Sequence, residues 1–331
     1  MARPATSSEM KTAQEMPDGN SFGAAHAHEI EVYEVQRPAL TFERGATVEQ
    51  KVFGSEHSQT TAPFISNTPT HLSNDSESRD ARQSICRTGP LLLIVVTGEK
   101  GGGGKTPVAL LTASYLQRKR WSWKGIDLDG ANKQFAAAAP ASISGFTLTK
   151  NGELDWEQVY AFGDFIAEAM KSGTVGAVVV DLGAGHLELF KTALAETGLE
   201  ERVGKEITLV LFYNLIADHG SLSTLRNNVD ALDRFEKGAH WVVIRNAWKG
   251  EVTEYDTGTV IRPNLQKRGV HELHLKRLRD EAALQRWGRS RKLLGEYLSD
   301  LPFTEQAVFG TWANYFLQQL AQLPFLKGDR G

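Results

Sequence analysis

The pattern of apolar and polar positions changes abruptly near Pro90. Before it, residues 1–88 hold no sustained apolar period and are rich in Ser, Thr, Asn, Glu and Ala; the stretch 58–84 is polar and turn-forming throughout. Such sequence buries too little apolar area to offset the entropy of ordering the chain, so it predicts a disordered or weakly structured tail. Within it, "HEIEVYEVQ" at 28–36 alternates well enough for one short strand or a partner-binding segment. After Pro90, apolar strands alternate with amphipathic helices. "LLLIVVTG" (91–98) predicts a buried strand, and "TPVALLTASYLQRKR" (106–120) a helix whose basic end suits its C-terminal dipole. A short strand at 124–130, a helix at 156–173 closed by Gly173, a strand at 175–183 and a helix at 186–198 follow. Strand, helix and strand continue at 206–214, 221–235 and 240–246.

Toward the C-terminus, 271–275 predicts a last strand and 276–298 one helical stretch. A final helix at 304–323 places Val308, Trp312, Phe316 and Leu320 four apart on one face. No basic residue accompanies that face between 304 and 326, so packing on the sheet is predicted and membrane attachment is not. Continuous Val/Ile/Leu strands joined by helices imply an α/β fold, a mostly parallel sheet with helices on both faces. The expected organisation is a tail over 1–88 and one domain over 89–331. Sheets of this kind bind ligands at the carboxyl ends of their strands, where the chemistry is to be sought.

Composition narrows this picture a little. With 331 residues and 41% hydrophobic content, the chain can build one large α/β domain or two small ones. A net charge of −3 does not mark the whole chain as a nucleic-acid binder. Cys86 is the single cysteine, which rules out an intramolecular disulfide and fits a reducing cytoplasm. No charged-then-apolar leader pattern opens the sequence, and no apolar run approaches the ~18 residues of a bilayer span.

The candidate chemistry starts at "EKGGGGKTP" (99–107). A turn between a buried strand and a helix can aim several backbone N–H groups at one point, and glycine allows the close approach this needs. The helix start adds partial positive charge. Lys105 can then reach the β/γ-phosphates of a nucleotide, and the Thr106 hydroxyl can bind Mg²⁺. The usual spacing G-x-x-x-x-G-K-[ST] fails here, because Glu99 stands where its first glycine belongs. The run fits instead a pattern with an additional lysine, Lys100, ahead of Gly101, Gly102, Gly103, Gly104, Lys105 and Thr106.

That loop resembles the deviant Walker A motif of the ParA/MinD family of ATPases, P-loop NTPases of the SIMIBI type, and the resemblance extends over about 91–322. It implies ATP and Mg²⁺ as cofactors and a homodimer when ATP is bound, with Lys100 crossing the interface to the partner's phosphates. It implies that Asp127 of "IDLDG" lies near the Mg²⁺ shell while Asp129 positions the attacking water. It further implies that Asp181 of "AVVVDLGAG" is a Walker B-like metal carboxylate, followed by a switch segment at Gly183 and Gly185. Asn246 of "WVVIRN" is the residue expected to read the adenine edge. The "GAN" at 130–132 is similar to TraL-like conjugal-transfer and mobilisation ATPases, where chromosomal relatives usually carry "DPQGN". Pro107 departs from the family: the residue after [ST] usually offers its N–H to the α-phosphate, and proline has none, which predicts weaker nucleotide binding.

From Arg262 to Lys292 there are ten Lys or Arg against three Asp or Glu. The resemblance implies that such a C-terminal basic surface holds DNA without sequence preference, in a salt-sensitive way. The function so implied is a slowly hydrolysing, partner-stimulated ATP switch for plasmid partition, mobilisation or conjugal transfer. Its protein partner would be a centromere-binding protein, a relaxosome component or a secretion component. A metabolic ATP-dependent ligase or kinase-like enzyme on the same fold, or an adaptor that binds ATP with negligible hydrolysis, stay open as alternatives.

Overall fold

The computed structural model describes residues 89–130, 132–231 and 239–327; the 1–88 tail, with its 28–36 segment and Cys86, lies outside the described residues. Strand β1 (Leu91–Thr97) has no charge and no polar face, and all seven of its residues are buried, as a central strand requires. In chain order there follow α1 (Lys105–Arg118), β2 (Trp123–Leu128), α2 (Gln134–Ala138), β3 (Ile143–Gly145) and the short hairpin β4 (Thr149–Lys150) and β5 (Glu153–Leu154). Next come α3 (Trp156–Ser172), β6 (Ala177–Leu182), α4 (Leu187–Glu196), β7 (Ile207–Leu215), α5 (His219–Ala231) and β8 (Ala239–Asn246). The remainder is α6 (Thr253–Thr257), α7 (Ile261–Lys267), β9 (His271–Leu275), α8 (Glu281–Ser290), α9 (Leu294–Asp300) and α10 (Phe303–Leu320).

Seven strands form one sheet in the order β3-β2-β6-β1-β7-β8-β9, and every pairing in it is parallel. Alternate residues of β1 point to opposite faces. Leu92, Ile94 and Val96 pack with α1, α8, α9 and α10, while Leu91, Leu93 and Val95 pack with α3 and α4. The sheet is thus covered on both sides. β1 lies between β6 and β7, and β6 between β1 and β2, so the loops leaving β1, β2 and β6 open side by side at one edge.

Three details depart from the sequence reading. The predicted helix 276–298 is two helices. Asp280 caps α8 by accepting from the Ala283 N–H at 3.1 Å, and Arg291 ends it at φ 57°. α9 then restarts with the Leu294 N–H donating to Ser114 Oγ of α1 at 3.0 Å. In α10 the buried face runs through Phe309, Trp312, Ala313, Phe316, Leu317 and Leu320, and Val308 is 55% exposed. A four-residue step overshoots a helical turn by about 40°, so the stripe drifts across the helix: Trp312, Phe316 and Leu320 stay on the contact and Val308, at its start, falls off it. The helix expected at 221–235 runs from His219, and its last four residues fall outside the described ones. Among the described residues, no helix is long and apolar enough to cross a membrane.

Candidate functional site

The loop after β1, the loop after β2 and the segment after β6 border one cleft of about 640 Å³, closed on its far side by Trp248 and α8. Gly101 to Pro107, Asp129, Gly183 and His186 contribute to its wall. The glycine loop is built for this approach at two places. Gly102 sits at φ 65° and Gly104, which precedes α1, at φ 85°, both in the left-handed region. A Cβ on Gly104 would meet Asn246 Nδ2 at 2.9 Å, so a side chain there would push the loop off its support.

Lys105 is buried at the first position of α1, and its Nζ donates to the Lys100 carbonyl at 3.1 Å. Burial lowers its pKa, against the pull of Asp181, Asp129 and Glu99. Thr106 and Pro107 follow in the first turn, and both border the cleft. Proline is accommodated there because that turn needs no N–H for the helix itself.

Asp127 and Asp181 are register partners on neighbouring strands, and both are buried. Their surroundings differ. Asp127 Oδ1 accepts from the Asp129 N–H at 3.0 Å and Oδ2 from the Ala136 N–H at 2.9 Å. Burial raises its pKa, while those two donors restrain the rise. Both oxygens are therefore committed to shaping the β2–α2 loop. Asp127, expected near the Mg²⁺ shell, thus stands beside Asp181 on the adjacent strand, each of its oxygens accepting one backbone N–H. Neither Asp181 oxygen has a partner at hydrogen-bonding geometry. Burial pushes its carboxyl up to about 8, the neighbouring Thr106 hydroxyl pulling the other way. A buried carboxylate with no donor is costly unless a cation or proton meets it.

The donor set suits Mg²⁺ in the manner of phosphate sites, where one carboxylate and a hydroxyl share the ion with ligand phosphates and water. Among the described residues, no cluster of three or more His, Cys, Asp or Glu could hold a metal alone. Asp129 borders the cleft, and its Oδ1 accepts from the Asn132 N–H at 3.3 Å. His186 folds over the switch segment, where a Cβ on Gly183 would meet its Nδ1 at 2.6 Å.

Two expected residues stand elsewhere. Lys100 is exposed and pairs with Asp218 Oδ1 at 3.5 Å, in the loop after β7. Desolvation pulls the Asp218 carboxyl upward, but the Ser221 N–H and Lys100 together hold it below its usual range. Asn246 lies beneath the glycine loop. Its Nδ2 donates to the Gly103 carbonyl at 3.0 Å and to Asn214 Oδ1 at 2.9 Å, and its Oδ1 accepts from the Trp248 N–H at 2.9 Å. Asn214 adds a second grip, its Nδ2 donating to the same Gly103 carbonyl at 2.7 Å. The sequence carried a signal for Asn214: "FYN" stands one residue before the end of β7, as "IRN" stands at the end of β8. The Trp248 and α8 wall had no such signal, because α8 comes from far along the chain.

Four of the ten cations in the basic segment 262–292 are ion-paired in place. Arg262 pairs with Glu272 at 2.7 Å, Arg277 with Glu281 at 2.7 Å, and Arg286 with Asp280 and Glu305 at 3.0 and 3.3 Å. Lys292 pairs with Asp300, and Lys276 lies over the Tyr315 ring at 3.6 Å.

No protein-family model matches the sequence, and no curated protein matches it. Solved structures do resemble the fold. The septum site-determining protein MinD of Pyrococcus horikoshii, complexed with Mg-ADP, is 13% identical over 73% of this chain and 99% of its own, with a TM-score of 0.45. A chain of the MinC:MinD cell division complex of Aquifex aeolicus is 13% identical over 69% of this chain and 96% of its own, with a TM-score of 0.43. A nucleotide-binding protein of Archaeoglobus fulgidus, in complex with ADP, is 12% identical over 64% and 92%, with a TM-score of 0.40.

Proposed function

We propose that residues 89–331 form a ParA/MinD-like ATPase domain, an ATP-binding and slowly hydrolysing switch that dimerises around its nucleotides. The observation that carries this reading is the unpartnered, buried Asp181 beside Lys105 and Thr106, where the glycine loop opens into the cleft. An orphaned carboxylate, a desolvated ammonium and a cradle of backbone N–H groups together match a metal-bound polyphosphate better than any uncharged ligand. The Thr106 hydroxyl and the Asp181 carboxylate would hold Mg²⁺, which supplies charge neutralisation at the β- and γ-phosphates. Lys105 binds the same phosphates from the floor of the loop. Asp129, fixed by the Asn132 N–H, offers a carboxylate oxygen to accept a hydrogen bond from the attacking water.

Hydrolysis is slow because water positioning is left to one half-exposed carboxylate. Lys100 would exchange Asp218 for the phosphates of a second subunit, closing a sandwich dimer. The dimer state would then position DNA or a partner complex in partition, mobilisation or conjugal transfer, through a centromere-binding, relaxosome or secretion component. Lys267, Arg279 and Arg291, which form no ion pair among the described residues, are the cations of the basic segment left to meet DNA.

The test is nucleotide titration with light scattering. Lys105→Ala is expected to weaken ATP binding roughly a hundredfold, about 2.7 kcal/mol. Lys100→Ala should bind ATP yet stay monomeric. ATP binding untouched by Lys105→Ala would overturn the site, and full dimerisation of Lys100→Ala would overturn the sandwich.

A further inference from the structure

Two cationic residues border the cleft, Lys105 and Arg289. Arg289 is exposed, lies on α8, and forms no ion pair among the described residues. Arg286, one turn earlier on the same helix, is paired with two carboxylates. The helix that carries Arg289 is firmly held. Trp287 is fully buried with its Nε1 donating to the Lys292 carbonyl at 3.0 Å. Gly288 approaches α2 so closely that a Cβ there would meet Gln134 Oε1 at 3.2 Å. Leu284 and Trp287 share a core with Val108 and Leu111 of α1. Packing therefore fixes the backbone of α8 at the wall of the cleft, and Arg289 borders the cleft with no ion pair among the described residues.

The start of α1 lacks a donor at one position. Pro107 is the third residue of the helix and borders the same cleft. The resemblance described above implies that the N–H at that position meets the α-phosphate, and proline has no N–H to offer. A guanidinium presents several donors in one plane and binds phosphate oxygens in pairs.

We propose that Arg289 binds the α-phosphate of the nucleotide and so replaces the contact that Pro107 removes. This rests on the nucleotide reading of the cleft given above. It assigns α8, a helix outside the glycine loop, a part in ligand recognition. It also implies that the weak nucleotide binding expected from Pro107 is offset by Arg289.

The experiment is a set of competition titrations against a fluorescent ADP analogue, carried to millimolar ATP, ADP and AMP. The full-length protein is compared with Arg289→Ala, Arg289→Lys, Pro107→Thr and the double variant Arg289→Ala/Pro107→Thr. Arg289→Ala is expected to weaken all three nucleotides alike, roughly tenfold, with Arg289→Lys between it and the parent. Pro107→Thr alone should change little, but in the Arg289→Ala background it should recover most of the loss. A loss confined to ATP would place Arg289 at the γ-phosphate and overturn the proposal. Unchanged affinity in Arg289→Ala, or no recovery in the double variant, would also overturn it. If the parent binds no nucleotide, or Lys105→Ala binds as tightly as the parent, the phosphate reading of the cleft fails instead, and the two failures are thereby told apart.

Discussion

The cleft and the 262–292 segment both concentrate charge, yet they dispose of it in opposite ways. Across the basic segment, acids from neighbouring elements meet Arg262, Arg277, Arg286 and Lys292 at the surface. Exposed pairs of this kind are worth little in stability. In the cleft the groups are fewer but unmatched: both oxygens of Asp181 lack a donor, and Lys105 is desolvated. A count of charged letters ranks the basic segment first. Burial and pairing reverse the ranking, because the cost of an unmatched charge is set by its surroundings and not by its neighbours in sequence.

Substitutions can break this contrast, and the largest effect should come from Asp181. Asp181→Asn is expected to abolish the Mg²⁺ dependence of nucleotide binding while raising the thermal stability of the free protein near neutral pH. The sign follows from the raised pKa. An unfolded Asp loses its proton near 3.8 and the folded Asp181 only near about 8, so unfolding releases a proton between those values. Stability of the free protein should therefore fall as pH rises across that window, and Asp181→Asn should flatten the slope; an unchanged slope in thermal melts would contradict it.

Asp127→Ala comes next. Leaving two buried N–H groups without acceptors should cost about 2–4 kcal/mol in denaturant unfolding, whether or not nucleotide is present. Asn214→Ala should cost about 1 kcal/mol and weaken ATP binding several-fold by loosening Gly103. The smallest effect is assigned to the basic segment. Arg277→Ala should change retention on DNA by less than about twofold, whereas Arg279→Ala/Arg291→Ala should reduce the salt slope by up to about two. Equal losses in the two variants would erase the distinction between paired and unpaired cations.

Much of this was legible in the sequence, for local reasons. β1, β6 and β7 announce themselves because a strand covered on both faces must be apolar at every position. Gly173 marks the end of α3 because the chain needs a left-handed residue there, at φ 64°. The loop 98–107 and Asp181 were legible because phosphate chemistry restricts both residue type and spacing. What escaped depends on packing. α2, β3 and the β4–β5 hairpin are too short to show a period. The different fates of Asp127 and Asp181 follow from which backbone N–H groups happen to face them. Strand-end asparagine is a familiar pattern, but only the position of the Gly103 carbonyl reveals that the Asn246 amide is engaged there.

The four glycines are not one flexible unit. Gly103 and Gly104 are fastened from below by Asn214 and Asn246, while nothing lies within 4 Å of where Cβ atoms on Gly101 and Gly102 would be. The run is clamped where it enters α1, and at its other end the Lys100 carbonyl is held by Lys105 Nζ at 3.1 Å. A clamped end keeps the phosphate cradle shaped before any ligand arrives, so little ordering entropy is lost on binding. Only the Lys100 side chain, exposed and paired with Asp218, is left to move without disturbing the grip beneath.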